Sequence, residues 1–206
     1  MKLLITMPAH DAKCATETMY SIWRFARETT VDHDVRFLNR ETSWVYRQLC
    51  AEMFYASREF THWMPLDSDI GFTPALIHRM LGADVDVVGA VYLTRSRPCR
   101  PAVVMLPGSP APVQGALEPV QFAPLGCAVI SRAAIDAVAK AYPEQLRVCR
   151  SQGDLSLHQW FDTSSLDGVL LEPDHAFQHR WRLATDGTVW GLFCGPADIQ
   201  HVGDLL

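Results

Sequence analysis

Short apolar runs alternate with amphipathic stretches of helical length over the first half of the chain, and this alternation limits the possible folds more than any other feature. Lys2 to Met7 is an apolar run closed by Pro8, which reads as a buried strand. Thr16 to Thr29 puts Met19, Ile22, Trp23 and Ala26 on one helical face, and Val35 to Leu38 is a second short strand. From Thr42 to Ser57 a helix is predicted, with Val45, Leu49, Met53 and Ala56 as its apolar stripe. Thr61 to Leu66 then runs into Asp67-Ser68-Asp69. Thr73 before Pro74 reads as an N-cap followed by proline at the first helical position, so a helix should reach Leu81. Val85 to Leu93 is valine-rich and suits a pleated, mostly buried strand. The expectation is an α/β, Rossmann-like fold with a mostly parallel central sheet flanked by helices.

The second half is less regular. Arg95 to Pro119 is rich in proline and glycine and reads as a mobile excursion with one strand near Val103-Val104-Met105. Gln121 to Ile130 is predicted as one strand, and Ser131 as the cap of a helix reaching Ala141. Tyr142 to Gly168 reads as connecting structure, Asp174 to Arg182 as a short helix, and Thr188 to Phe193 as a closing strand. No repeat or linker interrupts the chain, so residues 1–206 are expected to form one domain.

Composition narrows the class. A chain of 206 residues that is 49% hydrophobic and 20% charged can bury a substantial core. A net charge of -5 argues against a broad nucleic-acid footprint, although a local basic patch such as Arg95, Arg97 and Arg100 stays open. The six cysteines contain no C-x-x-C pair, which speaks against a zinc knuckle, and they read as the reduced thiols of a cytoplasmic protein. The apolar start is too short for a secretory signal, and no run is long enough for a membrane span.

The chemistry is concentrated in Asp67-Ser68-Asp69. Carboxylates one residue apart at the end of a strand point into the crevice where open α/β sheets bind ligands. They repel one another, and a hard divalent cation relieves that repulsion while also bridging phosphates. A D-x-D pair alone is more often a solvated turn; its place after Thr61-His62-Trp63-Met64-Pro65-Leu66 favours the metal reading.

From Thr61 to Tyr92 the chain resembles GT-A glycosyltransferases, including small bacterial and phage members. Their pattern is a strand ending in D-x-D, a helix, then D-V-V-G-A-x-Y, matched by Asp86-Val87-Val88-Gly89-Ala90-Val91-Tyr92. Arg47 matches an arginine in the helix before the D-x-D strand. Leu125-Gly126-Cys127-Ala128-Val129-Ile130-Ser131-Arg132 is similar to the family's glycine-containing strand leading to I-S-R. Asp174-His175-Ala176-Phe177, Arg180, Gly187 and His201-Val202-Gly203 match the E-D-x-x-F, R, G and H-x-G blocks. One departure stands out: Pro173 precedes Asp174 where the family has glutamate, with Glu172 one position earlier.

The resemblance implies a GT-A fold and transfer of a sugar from a nucleotide-diphosphate donor, with uridine as the expected base. It implies Asp69 as a metal ligand, Asp67 on the metal or ribose, Ser68 between them at the donor, and His201 as a third metal ligand. An imidazole ligand suits Mn²⁺ better than Mg²⁺. Asp174 becomes the general base of an inverting transfer, with Glu172 next in line; a plain helix cap is the other reading of Asp174. The exit of the first strand, with Pro8, Ala9 and His10, either faces the nucleotide base and ribose or is an ordinary strand-to-helix loop. Arg47 either reaches the diphosphate or pairs with Glu41 or Glu52. Gly126 either lets the sugar approach the backbone or only relaxes a strand. Trp63, Trp160, Trp181 and Trp190 read as core before any sugar platform. The acceptor is open: polysaccharide, small glycoside, protein, or a hydroxylated base in DNA. A sugar nucleotidyltransferase is the first rival, but Met7 to Thr16 lacks the glycine of its phosphate loop. A silent nucleotide-sugar-binding domain is the second. No G-x-S-x-G elbow supports a serine hydrolase.

Overall fold

The computed structural model describes residues 1–9, 13–39, 43–143, 146–149, 155–162 and 164–202. In chain order its elements are β1 (Lys2–Pro8), α1 (Thr16–Glu28), β2 (Asp32–Leu38), α2 (Ser43–Ala56), β3 (His62–Pro65), β4 (Ile70–Phe72), α3 (Pro74–Gly82), β5 (Val87–Val91), β6 (Val104–Met105), β7 (Leu117–Phe122), β8 (Ala128–Ser131), α4 (Arg132–Ala141), β9 (Leu146–Cys149), β10 (Leu155–His158), β11 (Ser164–Leu166), β12 (Val169–Leu171), α5 (Pro173–Thr185), β13 (Trp190–Phe193) and β14 (Ile199–His201).

Eight strands form one sheet in the order β2-β1-β3-β8-β5-β13-β7-β6. β1 pairs in parallel with β2 and β3, and β5 with β13. β8 runs antiparallel between β3 and β5, and β7 antiparallel between β13 and β6. The sheet is therefore mixed, with β7 and β8 opposing the common direction of the rest. The α/β architecture read from the sequence is the one observed.

Helices cover both faces because the central strands are apolar on both. Leu3 to Pro8 of β1 are all buried. Leu4 packs into a core with Phe54, Ile135 and Phe177, from α2, α4 and α5. Leu3, Ile5 and Met7 point the other way, onto Ile22 and Phe25 of α1 and Leu76 and Ile77 of α3. The same alternation sends Trp63 and Met64 of β3 into opposite cores.

Two helices turn a different face inward from the one predicted. In α1 the buried residues are Thr18, Ser21, Ile22 and Phe25, while Met19 and Trp23 lie exposed. Ser21 can be buried because its hydroxyl donates to the Glu17 carbonyl and accepts from Phe72 N–H. In α2 the buried side is Tyr46, Cys50, Ala51 and Phe54; Ala56 faces solvent. In α1 the face turned inward is half polar, its Ser21 satisfied by hydrogen bonds, and in both helices the packing partner chooses the buried face.

The predicted single strand from Gln121 to Ile130 is two strands, β7 and β8, that lie apart in the sheet. The chain breaks at Ala123, where the Gln178 side chain of α5 satisfies both backbone groups: Ala123 N–H donates to its Oε1 and its Nε2 donates to Ala123 O, each at 2.8 Å. The stretch read as connecting structure contains two hairpins, β9–β10 and β11–β12. The second turns on Asp167-Gly168, both with positive φ (52° and 78°), a two-residue loop that the Asp-Gly pair signals. Ser131 does cap α4, accepting from Ala134 N–H at 3.1 Å.

Candidate functional site

The carboxyl ends of β3 and β5 and the amino ends of α2 and α5 meet at one rim of the sheet. Asp67 is fixed there by backbone: Leu66 N–H donates to Thr6 O at 2.9 Å and Asp67 N–H to Gly126 O at 2.8 Å. Ser68 lends its carbonyl to Ala15 N–H at 2.8 Å, which ties the start of α1 to the acidic turn. Asp69 O accepts from Val202 N–H at 2.7 Å, extending the β4–β14 ribbon to the same turn.

Arg47 is the hub. Its NH2 donates to Asp67 Oδ1 at 3.0 Å, its Nε faces Asp174 Oδ1 at 3.2 Å, and its NH1 donates to Leu125 O at 2.9 Å. Burial disfavours its charge, yet Asp174 and Asp67 outweigh that and hold the guanidinium above its ordinary value. It does not pair with Glu52, whose Oε2 accepts from His158 N–H, His158 Nδ1 and Trp160 Nε1 at 3.0 to 3.1 Å. Glu41 lies outside the described residues.

Asp174 is the second residue of α5, after Pro173, and is not its cap. The cap position belongs to Glu172, whose side chain makes no capping bond and which lies exposed at the rim. The Asp174 carboxylate turns instead to Arg47. Burial pushes it up from its ordinary value, against the pull of Arg47 and with a further push from Asp67.

A cavity of 280 Å³ opens beside these groups, lined by Arg47, Asp67, Tyr92, Gly126, Glu172, Asp174 and His175 among others. Pro124, Leu125, Ala102, Val103 and Val104 form its apolar walls. Gly126 is sterically required: a Cβ there would strike the Tyr92 hydroxyl and lie 2.5 Å from Asp67 Oδ2. Its bareness makes room for the protein's own Asp67 carboxylate at the cavity wall.

Asp69 forms a second cluster. One carboxylate oxygen is paired with Arg95 and the other lies 3.4 Å from His201 Nε2. Burial would raise its pKa, but His201 and Arg95 prevail and hold it below the usual carboxylate range. Tyr92 links the clusters, its ring edge-on to His201 with centroids 5.5 Å apart and its hydroxyl beside Asp67 across Gly126.

Among the described residues no three acidic, histidine or cysteine side chains form a ready-made cation site. The expected trio of Asp67, Asp69 and His201 is thus only partly assembled: Asp69 and His201 meet, while Asp67 Oδ1 is engaged by Arg47. Asp69 and His201 are the residues here that could hold a divalent ion, once Arg95 leaves the Asp69 carboxylate. Mg²⁺ and Mn²⁺ sites at phosphates need only one or two protein carboxylates, the phosphates supplying the rest. His201 Nδ1 is buried without a partner among the described residues, and its Nε2 side faces Asp69.

Pro8 closes β1 beside Leu38 of β2, and Ala9 N–H donates to Leu38 O at 3.0 Å; neither lines the cavity. His10 and Gly203 lie outside the described residues. Trp63, Trp160 and Trp181 are core residues, at most 2% exposed. The sequence reading passed over His175, which stacks on Phe122 at 4.4 Å and lines the cavity; its adjacency to Asp174 was the available signal.

No family model matches the chain, and no curated protein sequence matches it. Among solved structures it is similar to the crystal structure of A197 from STIV, with 14% identity, a TM-score of 0.58, and coverage of 100% of this chain and 87% of that one. At that identity the likeness establishes a shared fold. A structure from Bacillus anthracis, assigned as a glucose-1-phosphate thymidylyltransferase and solved with sucrose, aligns over 89% of this chain and 96% of that one at 10% identity. Its TM-score of 0.38 is too low to support an argument. No helix among the described residues is long and apolar enough to cross a membrane.

Proposed function

We propose that this chain is a GT-A glycosyltransferase that moves a sugar from a nucleotide-diphosphate donor, a UDP-sugar, to an acceptor hydroxyl. The observation that carries the reading is Arg47, which joins the acid after β3 to the acid at the start of α5 beside the Asp69–His201 pair. Cation and carboxylates converge at the rim where open α/β sheets hold nucleotides.

In this reading the bond between the sugar's anomeric carbon and the diphosphate oxygen breaks, and a bond to the acceptor oxygen forms. Asp174 takes the acceptor's proton, its raised pKa making it a stronger base than an ordinary carboxylate. Arg47 orients that carboxylate and places a fixed positive charge next to the donor. Asp69 and His201 would hold a divalent ion, Mn²⁺ or Mg²⁺; when bound, it supplies charge to stabilise the departing diphosphate. Tyr92 and the walls at Ala102 to Val104 limit water around the reacting centre.

Calorimetric titration of UDP, with and without Mn²⁺, tests the donor half. The wild type should bind only with the metal, and Asp69→Ala should lose that metal-dependent binding. Equal binding by the variant would place the nucleotide elsewhere. Release of pyrophosphate from a sugar phosphate and a nucleoside triphosphate would instead favour nucleotidyl transfer.

A further inference from the structure

Arg95 belongs to the basic patch of Arg95, Arg97 and Arg100, and the structure lays its guanidinium on Asp69. With His201 on the other oxygen, both ends of that carboxylate are engaged by the protein itself. The loop beneath Arg95 is well anchored. Leu93 bridges Pro101, Thr94 N–H donates to Arg100 O at 2.8 Å, and Ala102 N–H donates to Tyr92 O at 2.8 Å. It leads directly into Ala102, Val103 and Val104 of the cavity wall. Arg95 therefore sits on an anchored loop whose two ends, Tyr92 and Ala102, line the cavity, and its side chain is left to choose a partner.

That choice is open to exchange. The Arg95 and Asp69 side chains remain 30% and 36% exposed, and an ion pair that wet is weak. The Arg95 Nε is buried with no acceptor among the described residues, so the present pose leaves part of the fork unused. A planar guanidinium matches a phosphate in a two-pronged fashion, and a diphosphate carries more charge than one carboxylate. A divalent ion, for its part, needs the oxygens that Arg95 now covers.

We propose that Arg95 is a donor-phosphate ligand that rests on Asp69 in the free protein and swings to the diphosphate on donor binding, which frees Asp69 for the metal. This rests on the glycosyltransferase reading. It has a signature that a merely structural pair lacks: Arg95 opposes the metal when the nucleotide is absent and assists the nucleotide when the metal is present.

The test uses Arg95→Gln and Arg95→Lys in the full chain. Mn²⁺ binding to nucleotide-free protein is followed by electron paramagnetic resonance of the free ion, and UDP binding at saturating Mn²⁺ by calorimetry. Arg95→Gln should bind Mn²⁺ alone several-fold more tightly and UDP about tenfold more weakly. Arg95→Lys, which keeps the charge without the fork, should leave Mn²⁺ affinity near wild type and weaken UDP to a smaller degree. If the wild type binds both ligands and Arg95→Gln changes neither, or moves both in one direction, the proposal fails while the transferase reading stands. A wild type that binds neither Mn²⁺ nor UDP overturns both.

Discussion

Arg47 sets the electrostatics of the site, because it is the shared partner of two carboxylates brought in by different elements. Replacing it with alanine leaves Asp67 and Asp174 facing one another. The expected loss at neutral pH is about 1–3 kcal/mol, below the cost of breaking a fully enclosed pair, since the two carboxylates stay 34% and 28% exposed. The deficit should shrink as pH falls, because protonating either acid removes the repulsion; urea unfolding at pH 7 and at pH 4.5 measures it. Asp174 itself titrates above its ordinary value. A carboxyl whose folded pKa exceeds its unfolded one stabilises the fold only at low pH, and that contribution disappears as pH rises through the folded value. If Asp174 is the base of the proposed transfer, the acid limb of its pH profile should lie above that of an ordinary aspartate. Asp174→Asn should retain UDP binding and lose transfer by about 10²–10⁴-fold; undiminished transfer would locate the base elsewhere.

Elements were legible wherever local pattern and packing agreed. β1, β3, β5, α3 and the Ser131 cap of α4 fall where their residues predict, since a buried parallel strand is apolar throughout and a capped helix start has its own chemistry. The Gln121–Ile130 stretch misled because β propensity cannot register a break satisfied from afar by Gln178. The faces of α1 and α2 misled because the packing partner, not local hydrophobicity, selects them; in α1 the chosen face includes the polar Thr18 and Ser21. Gly89 of β5 shows how tightly elements are set: a Cβ there would collide with the Pro124 carbonyl and lie 2.8 Å from the Ala123 Cβ. Gly89→Ala is expected to lower stability by about 1–3 kcal/mol, since backbone must move to admit the methyl. Denaturant midpoints of the two proteins check it, and an unchanged midpoint would mean that the 123–124 segment yields freely.

At the scale of the whole molecule, the mixed sheet brings the ends of β3, β5 and α5 and the flank of β8 to one rim, so residues over a hundred positions apart share a cavity. Ligand linkage makes this measurable: a true donor at a hundred times its dissociation constant should add about 2.7 kcal/mol of stability. A screen of nucleotide sugars by thermal unfolding, with and without Mn²⁺, should single out one donor in a metal-dependent way; a flat response across all of them would remove the donor site. The α/β class and the acidic turn were already present in the linear order of residues, because periodicity and charge spacing are local properties, while Arg47, Asp174 and His201 became candidates through the resemblance to GT-A glycosyltransferases. Which groups pair was not present in that order. That Arg47 holds Asp67 and Asp174, that Gly126 makes space for Asp67, and that Arg95 rests on Asp69 were decided by the tertiary structure alone. Ion pairing depends on distance in space, and only folding brings these side chains within reach of each other.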